Sequence, residues 1–552
     1  MRALALPLLA AAAAAVAQSS ASMPMNSAPA SAERLGKVSF AVSCSEQPAF
    51  NRGVALLHDF WYAEAQPQFE RIAEADPGCA MAHWGIAMSV FHQIWDRPDA
   101  RSMKLGWAEM QKAQSLPAKT AREGDYIAAL AIFFRPGDQD FMTRVSAYSA
   151  AMGSLYRKYP DDVDAGAFYA LSLLASKAPD DTSLTHDHEA MAVLAPLFAK
   201  YPDHPGLVHY IIHSCDNPAM AKDGLLAAEH YGEIAPSGPH AAHMPGHIFA
   251  RLGMWQQDIG AQLASIQASE AADAHHENGL MDEPHSYDFL MYAYLQSGQD
   301  VSARQVLEKI PSVLDRIASM PGMGSSYMEG MIGYYRTKFP VFYALEMRDW
   351  QAAAALQPVP GALPEDAAMT WWARAIADGH LHRAGQAQAD LAQYVALMAE
   401  VKRGPHAYDA QSTGAQIAGN EIAAWTSFAA GRRDEALKQM RDAADLQDKV
   451  GQGEVDIPAR EMLADMLLEL HQPQLAIEEY RAALKLSPNR FNGLYNAGIA
   501  AEQAGDRTAA TNYFSALLKS TGGGAQSSRR ELVHTRNFLS SDPLAANQAR
   551  EQ

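Results

Sequence analysis

AFNRGVALLHDFWYAEAQPQFERIAEADPGC, residues 49–79, is the stretch on which the fold turns. Apolar residues recur at helical spacing on either side of a short break at Asp59–Trp61, so the stretch reads as helix, turn, helix. Small residues stand at Gly53 and Ala65, an aromatic at Phe69 and a proline at Pro77. Small residues let two antiparallel helices approach closely. The aromatic fills the gap to the next pair, and the proline stops the second helix.

Counted from Glu46, these residues take positions 8, 20, 24 and 32 of a unit. A unit from Ile457 puts Ala464, Ala476, Tyr480, Ala483 and Pro488 at matching places, and the next, from Phe491, brings Gly498, Ala510 and Phe514. This pattern resembles the tetratricopeptide repeat, whose period is about 34 residues. Between the ends the pattern loosens but persists in FARLGMWQQDIGAQLASIQAS, FLMYAYLQSGQDVSARQVLEKIP and IAAWTSFAAGRRDEALKQMRDAA. KYPDD (158–162) and KYPDH (200–204) mark two equivalent repeat ends. No alternating run suggests a sheet. The expected fold is all-α, a tetratricopeptide-repeat-like right-handed helical solenoid of antiparallel helix pairs, about a dozen of them.

The expected organisation is a signal peptide (1–17), a flexible linker (18–37), N-terminal repeats (38–204), central histidine-rich repeats (205–310), irregular helical repeats (311–416), C-terminal repeats (417–521) and a tail (522–552). The stretches 321–335 and 358–369 read as longer loops or irregular pairs. The leader has one basic residue, Arg2, an apolar run and Ala15-Val16-Ala17, which predicts cleavage after Ala17 and a periplasmic or secreted protein. No later run is long and apolar enough for a membrane span.

Of the 552 residues, 48% are hydrophobic and 19% charged, a balance that excludes a disordered chain. A formal charge of -19 argues against a nucleic-acid partner. Cys44, Cys79 and Cys215 are too few for a disulfide framework, although an oxidising compartment would let the first two pair.

Twelve of the 20 histidines fall between residues 186 and 285. His209, His213 and Asp216 are spaced so that they share a helix face. A unit starting at Pro205 puts them at positions 5, 9 and 12. Units starting at Ala242 and Pro284 put His243 and His247 at positions 2 and 6, and His285 and Asp288 at 2 and 5. The resemblance implies that positions 2, 5, 9, 12 and 13 line the concave groove, so most of these residues face one surface. His240 is expected in the preceding loop, with His243 and His247 straddling a helix start at Pro245. Neutral imidazole is the commonest transition-metal ligand. The expected metal site is therefore His209, His213, His243, His247 and His285, with Asp216 and Asp288 as ligands or orienting groups. Zinc is the default ion; copper is the other, because Cys215 and the methionines offer soft donors. His58 and His92, at position 13 of their repeats beside Trp61 and Trp95, are read with His240 as groove contacts, or alternatively as amphipathic tips over a core. The same histidines also suit a second reading, in which they bond one another at repeat joints or line a groove for a peptide or small ligand.

HYIIH carries Tyr210 where a zinc protease has its glutamate. Asp216, Asp288, Glu233 or Glu283 are candidate bases for a metal-bound water, and nothing in the sequence selects among them. No phosphate loop or serine-nucleophile elbow appears. Met320, Met323, Met328 and Met331 read as core filling. The run HMPGHIFARLGMW followed by PHSYDFLMYAYLQ resembles a group of exported bacterial tetratricopeptide proteins. That resemblance implies scaffolding and protein binding in the groove and brings no activity with it. The expected function is binding of a protein or small ligand in the groove, with a His/Asp metal site. The alternative is a metal-dependent hydrolase or oxidoreductase on the same scaffold.

Overall fold

The computed structural model describes residues 33–541 except 95–96, 118–119, 179–180, 276–278, 321–325, 405–411, 524–526 and 528, with backbone only at 326–329. The expected signal peptide (1–17), residues 18–32 of the expected linker, Trp95, His276, Met323, the Met328 side chain and residues 542–552 lie outside the described residues. Among the described residues the chain forms twenty-six α-helices, one 3-10 helix and no strand. Each helix packs on its neighbours in sequence, giving an all-α, tetratricopeptide-like solenoid of helix pairs.

The pairs share one turn. In eight of them the first helix ends two residues before a left-handed residue and the second begins two residues after it. Phe60, Gly253, Gly298, Arg348, His382, Gly431, His471 and Gly505 hold that seat. Glycine takes this conformation without the Cβ clash that costs other residues roughly 1 kcal/mol.

The small and aromatic positions pack as their spacing requires. The Phe69 ring lies between two glycines: a Cβ on Gly53 would stand 2.7 Å from it and one on Gly85 2.3 Å. Phe514 leaves Gly498 equally little room, at 2.4 Å. Cys44 and Cys79 form a disulfide, and Cys215 is buried against Met191.

Several boundaries differ from the sequence reading. Residues 34–37, expected in the linker, are pinned by backbone bonds from Gly36 to the Ile234 carbonyl and from Lys37 to the Asp203 carbonyl. The tail contains the helix Arg530–Ser540, whose Leu532 and Phe538 are buried. Residues 326–335 lie in a continuous helix, Ser326–Glu346, and Pro364 opens the helix Pro364–His380. The central repeat starts at Pro239, three residues before the expected Ala242, because Pro239 occupies the first helical turn as Pro205 does one repeat earlier. His240 is therefore inside the helix Pro239–His243. The chain continues through Met244, at φ -53 and ψ -37, into the helix Pro245–Arg251.

The C-terminal repeats close onto the central ones. Trp255 Nε1 donates to the Asn489 carbonyl at 2.9 Å, and Asn489 Nδ2 donates to the Gly253 carbonyl at 3.2 Å. Gly253 is needed twice, for its φ of +63 and because a Cβ would lie 2.3 Å from the Pro488 carbonyl oxygen. Arg490, only 1% exposed, lies between Glu346 and Glu461, each at 2.9 Å. These contacts carry the 451–458 segment to the histidine-rich repeats.

Candidate metal centre

On the helix Pro205–Cys215, His209 and His213 stand one turn apart. His209 is fully buried, and its Nδ1 lies 2.6 Å from the His58 carbonyl oxygen. A carbonyl only accepts, so Nδ1 carries the proton and donates it, leaving a lone pair on Nε2. That Nε2 faces His213 Nε2 at 3.0 Å. His240, from the next repeat, completes the group, its ring centroid 5.1 Å from that of His209. Phe60 backs all three imidazoles at 4.4–5.6 Å.

His243 and His247 repeat this pattern one 34-residue period further on. His243 Nδ1 donates to Gln262 Oε1 at 2.6 Å, and the amide is oriented because its Nε2 donates to Asp258 Oδ1 at 2.8 Å. Gly246 makes room for that amide, since a Cβ there would lie 2.0 Å from Gln262 Nε2. His243 Nε2 faces His247 Nε2 at 2.9 Å. His247 Nδ1 donates to Asp216 Oδ2 at 3.0 Å and to Glu454 Oε1 at 2.9 Å. Arg251 braces both carboxylates, with Nε 3.0 Å from Asp216 Oδ1 and Nη2 3.5 Å from Glu454 Oε2. The His285 ring lies 4.5 Å from His243 and 5.8 Å from His247, and Phe289 backs this trio at 4.9–5.2 Å.

In each trio one nitrogen per ring lies within 4.8 Å of the others, and one ring, His213 or His285, is half-buried at the open edge. Burial holds His209, His213 and His243 well below the ordinary histidine range and brings His240 and His285 to about 3, so these rings are neutral lone-pair donors. His247 differs. Burial opposes its charge, but the Asp216 and Glu454 carboxylates outweigh that and raise it to about 10. Burial and the nearby Glu454 push Asp216 up, whereas Arg251 and His247 overcome burial to keep Glu454 ionised.

The expected site residues separate into those the fold gathers and those it uses elsewhere. His209, His213, His243, His247 and His285 converge, and Asp216 touches His247. Asp288 is spoken for by Lys338, with which it forms a buried ion pair. Glu283 is paired with Arg316 at 2.5 Å, and Glu233 lies 4.0 Å from His230 with its carboxylate mostly in solvent. His58 is completely buried: Nε2 meets Asp164 at 3.0 Å, Nδ1 meets the Tyr210 hydroxyl at 2.9 Å, and His204 shares the same Asp164 oxygen at 3.2 Å. His92 stacks on Tyr62 at 4.5 Å, with Nε2 3.2 Å from the Ser89 carbonyl. Sequence reasoning missed Glu454, Gln262, Arg251, Phe60 and Phe289, and placed His240 among the groove contacts. The 34-residue offset between the two His-x3-His pairs was available as a signal for the frame; nothing local marks Glu454.

No family model and no curated protein matches the chain. Among solved structures it is similar to the human IFIT1 dimer with m7Gppp-AAAA, at 13% identity and TM-score 0.34 over 80% of this chain and 90% of that one. It is also similar to the P58(IPK) TPR domain, at 11% and 0.21 over 89% and 98%, and to yeast Tom70, at 12% and 0.32 over 92% and 99%. Among the described residues, no helix is long and apolar enough to cross a membrane.

Proposed function

We propose that this protein is an exported helical-repeat scaffold that binds a protein or small ligand in its concave groove beside a transition-metal ion held by His243, His247 and His285. One observation carries the reading: His243 and His247 each commit Nδ1–H to a protein oxygen and turn their Nε2 atoms toward each other at 2.9 Å. With His247 neutral, two lone pairs at that distance repel unless a cation lies between them, and a metal ion seated there takes the place of the Nε2 proton that the Asp216 and Glu454 carboxylates otherwise stabilise. Metal-bound histidines have this arrangement, the outer N–H held by a carboxylate, carbonyl or amide oxygen that fixes the tautomer. Tetrahedral zinc with ligands at about 2.0–2.1 Å spaces their nitrogens about 3.3 Å apart, so a shift of a few tenths of an ångström seats the ion. Three imidazoles suit zinc or copper and leave a fourth position for a ligand. Asp216 and Glu454 orient His247 and balance the ion's charge. The leader pattern and the Cys44–Cys79 disulfide support export.

A metal-dependent hydrolase or oxidoreductase is the second reading. It is favoured by a cavity of about 630 Å³ that Asp216, Arg251 and residues 448–453 help to line, beside the carboxylates that hold His247. A proton on His247 can satisfy the same Nε2 contact, and metal analysis separates the two states. The full chain, stripped with chelator, reloaded with Zn2+ or Cu2+ and dialysed, is expected to retain metal that His243→Ala or His247→Gln releases. Retention of no metal by the wild-type chain would refute the proposal.

A further inference from the structure

The trio formed by His209, His213 and His240 straddles a repeat boundary, and the proposed site at His243, His247 and His285 leaves it unused. Its construction follows the same plan. His209 and His213 precede His243 and His247 by one 34-residue period, on a helix that likewise begins with proline at its first turn. Both pairs bring Nε2 to Nε2, at 3.0 and 2.9 Å. Each trio has one phenylalanine against its rings, Phe60 for the first and Phe289 for the second.

The outward nitrogens agree as well. His209 Nδ1 meets the His58 carbonyl, His240 Nδ1 faces Asp282 Oδ1 at 3.7 Å, and His243 Nδ1 meets Gln262. His247 Nδ1 meets the two carboxylates, and His285 Nδ1 lies 3.5 Å from the Tyr335 hydroxyl. Five rings of six thus turn Nδ1 toward an oxygen. A merely polar lining has no reason to orient its imidazoles alike. The trios are also adjacent, because His240 and His243 sit three residues apart on one short helix with ring centroids 6.1 Å apart.

We infer that the central repeats hold two neighbouring transition-metal ions, one at His209, His213 and His240 and one at His243, His247 and His285. This rests on the single-site proposal and adds a second site to it. All six donors are imidazole nitrogens, which selects zinc or copper over the oxygen-seeking magnesium and calcium. Three imidazoles would leave each ion a further coordination position for a ligand.

The test uses the full chain, stripped and then reloaded with Zn2+ alone, with metal per chain measured after dialysis. Wild type is expected to hold about two zinc ions. His213→Ala and His285→Ala, both at the half-buried edge, should each hold about one, and the double variant none. His213→Gln and His285→Gln, with circular dichroism and melting curves, separate ligand loss from misfolding. Copper-loaded protein gives a second readout, since two adjacent Cu2+ ions couple and their paramagnetic resonance signal falls below the copper content. One zinc in wild type, kept by His213→Ala and lost by His285→Ala, overturns the site at His209, His213 and His240 and leaves the one at His243, His247 and His285 standing. One zinc lost by His213→Ala and kept by His285→Ala overturns the site at His243, His247 and His285 and with it the two-ion arrangement, and the absence of zinc overturns both sites. Loss of both ions in either folded single variant overturns the two-site arrangement in favour of one shared site.

Discussion

Glu454 reaches His247 across 207 positions of sequence, and its carboxylate, with Asp216, decides which nitrogen of that ring faces inward. Replacing Glu454 with Gln should preserve the helical spectrum and weaken Zn2+ binding by about 10–100-fold, the usual effect of losing a group that orients a ligand. A competition titration against a chromogenic chelator reads it. A second residue makes a prediction away from the histidines. Burial, reinforced by Asp456, raises Glu421 to about 8, against the hydrogen bond it accepts from Trp372 Nε1 at 2.9 Å. Glu421 is neutral in the folded protein where the unfolded chain would ionise it, so stability falls as pH rises from the ordinary carboxyl range toward 8. Glu421→Gln keeps an acceptor for Trp372. It should raise stability by up to about 4 kcal/mol at pH 8 and by about 1 kcal/mol at pH 5, measured as melting temperatures at both values. The histidine pairs were legible because i, i+4 spacing needs only a helix. Asp288 had suitable spacing too, yet Lys338, fifty positions later, claims it, and no local pattern contains that pairing.

The helix pair is the element on which the chain is built, and its turn is a sharper signature than its helices. The left-handed seat is filled by glycine at 253, 298, 431 and 505 and by larger residues at 60, 348, 382 and 471. Exposed His471 accordingly carries a backbone penalty, and His471→Gly should stabilise the protein by up to about 1 kcal/mol. Gly505→Ala should cost about the same. Chemical denaturation of both variants against wild type gives the two signs, and a destabilised His471→Gly would contradict the turn assignment. The glycine-aromatic spacing made the repeats at both ends readable, because Phe69 against Gly53 and Phe514 against Gly498 are contacts within one unit. The central frame was displaced by three residues because two prolines, Pro239 and Pro245, both carry the mark of a helix start. The chain uses both, running two short helices through Met244.

At the scale of the molecule, contacts between distant repeats finish the site. Asn489 and Arg490 anchor the C-terminal repeats on the middle of the chain, and the segment they hold supplies Glu454 and the Gln452 carbonyl that Arg251 meets. Composition and periodicity announced a solenoid of helix pairs, but neither reveals how its ends curl, which is why Glu454 stayed hidden while Asp216, close to the histidines in sequence, did not. The Cys44–Cys79 disulfide ties two positions 35 residues apart at the start of the array. Reduction should lower stability by about 2–4 kcal/mol, seen as an earlier melt in reductant and matched by a Cys44→Ser, Cys79→Ser double variant. The most direct test of the metal centre is diffraction from crystals of the full chain grown with Zn2+, recorded on both sides of the zinc absorption edge. An anomalous peak about 2.0–2.1 Å from Nε2 of both His243 and His247 is the expected result. A zinc-saturated crystal with no peak there, and the two nitrogens still in direct contact, would contradict it.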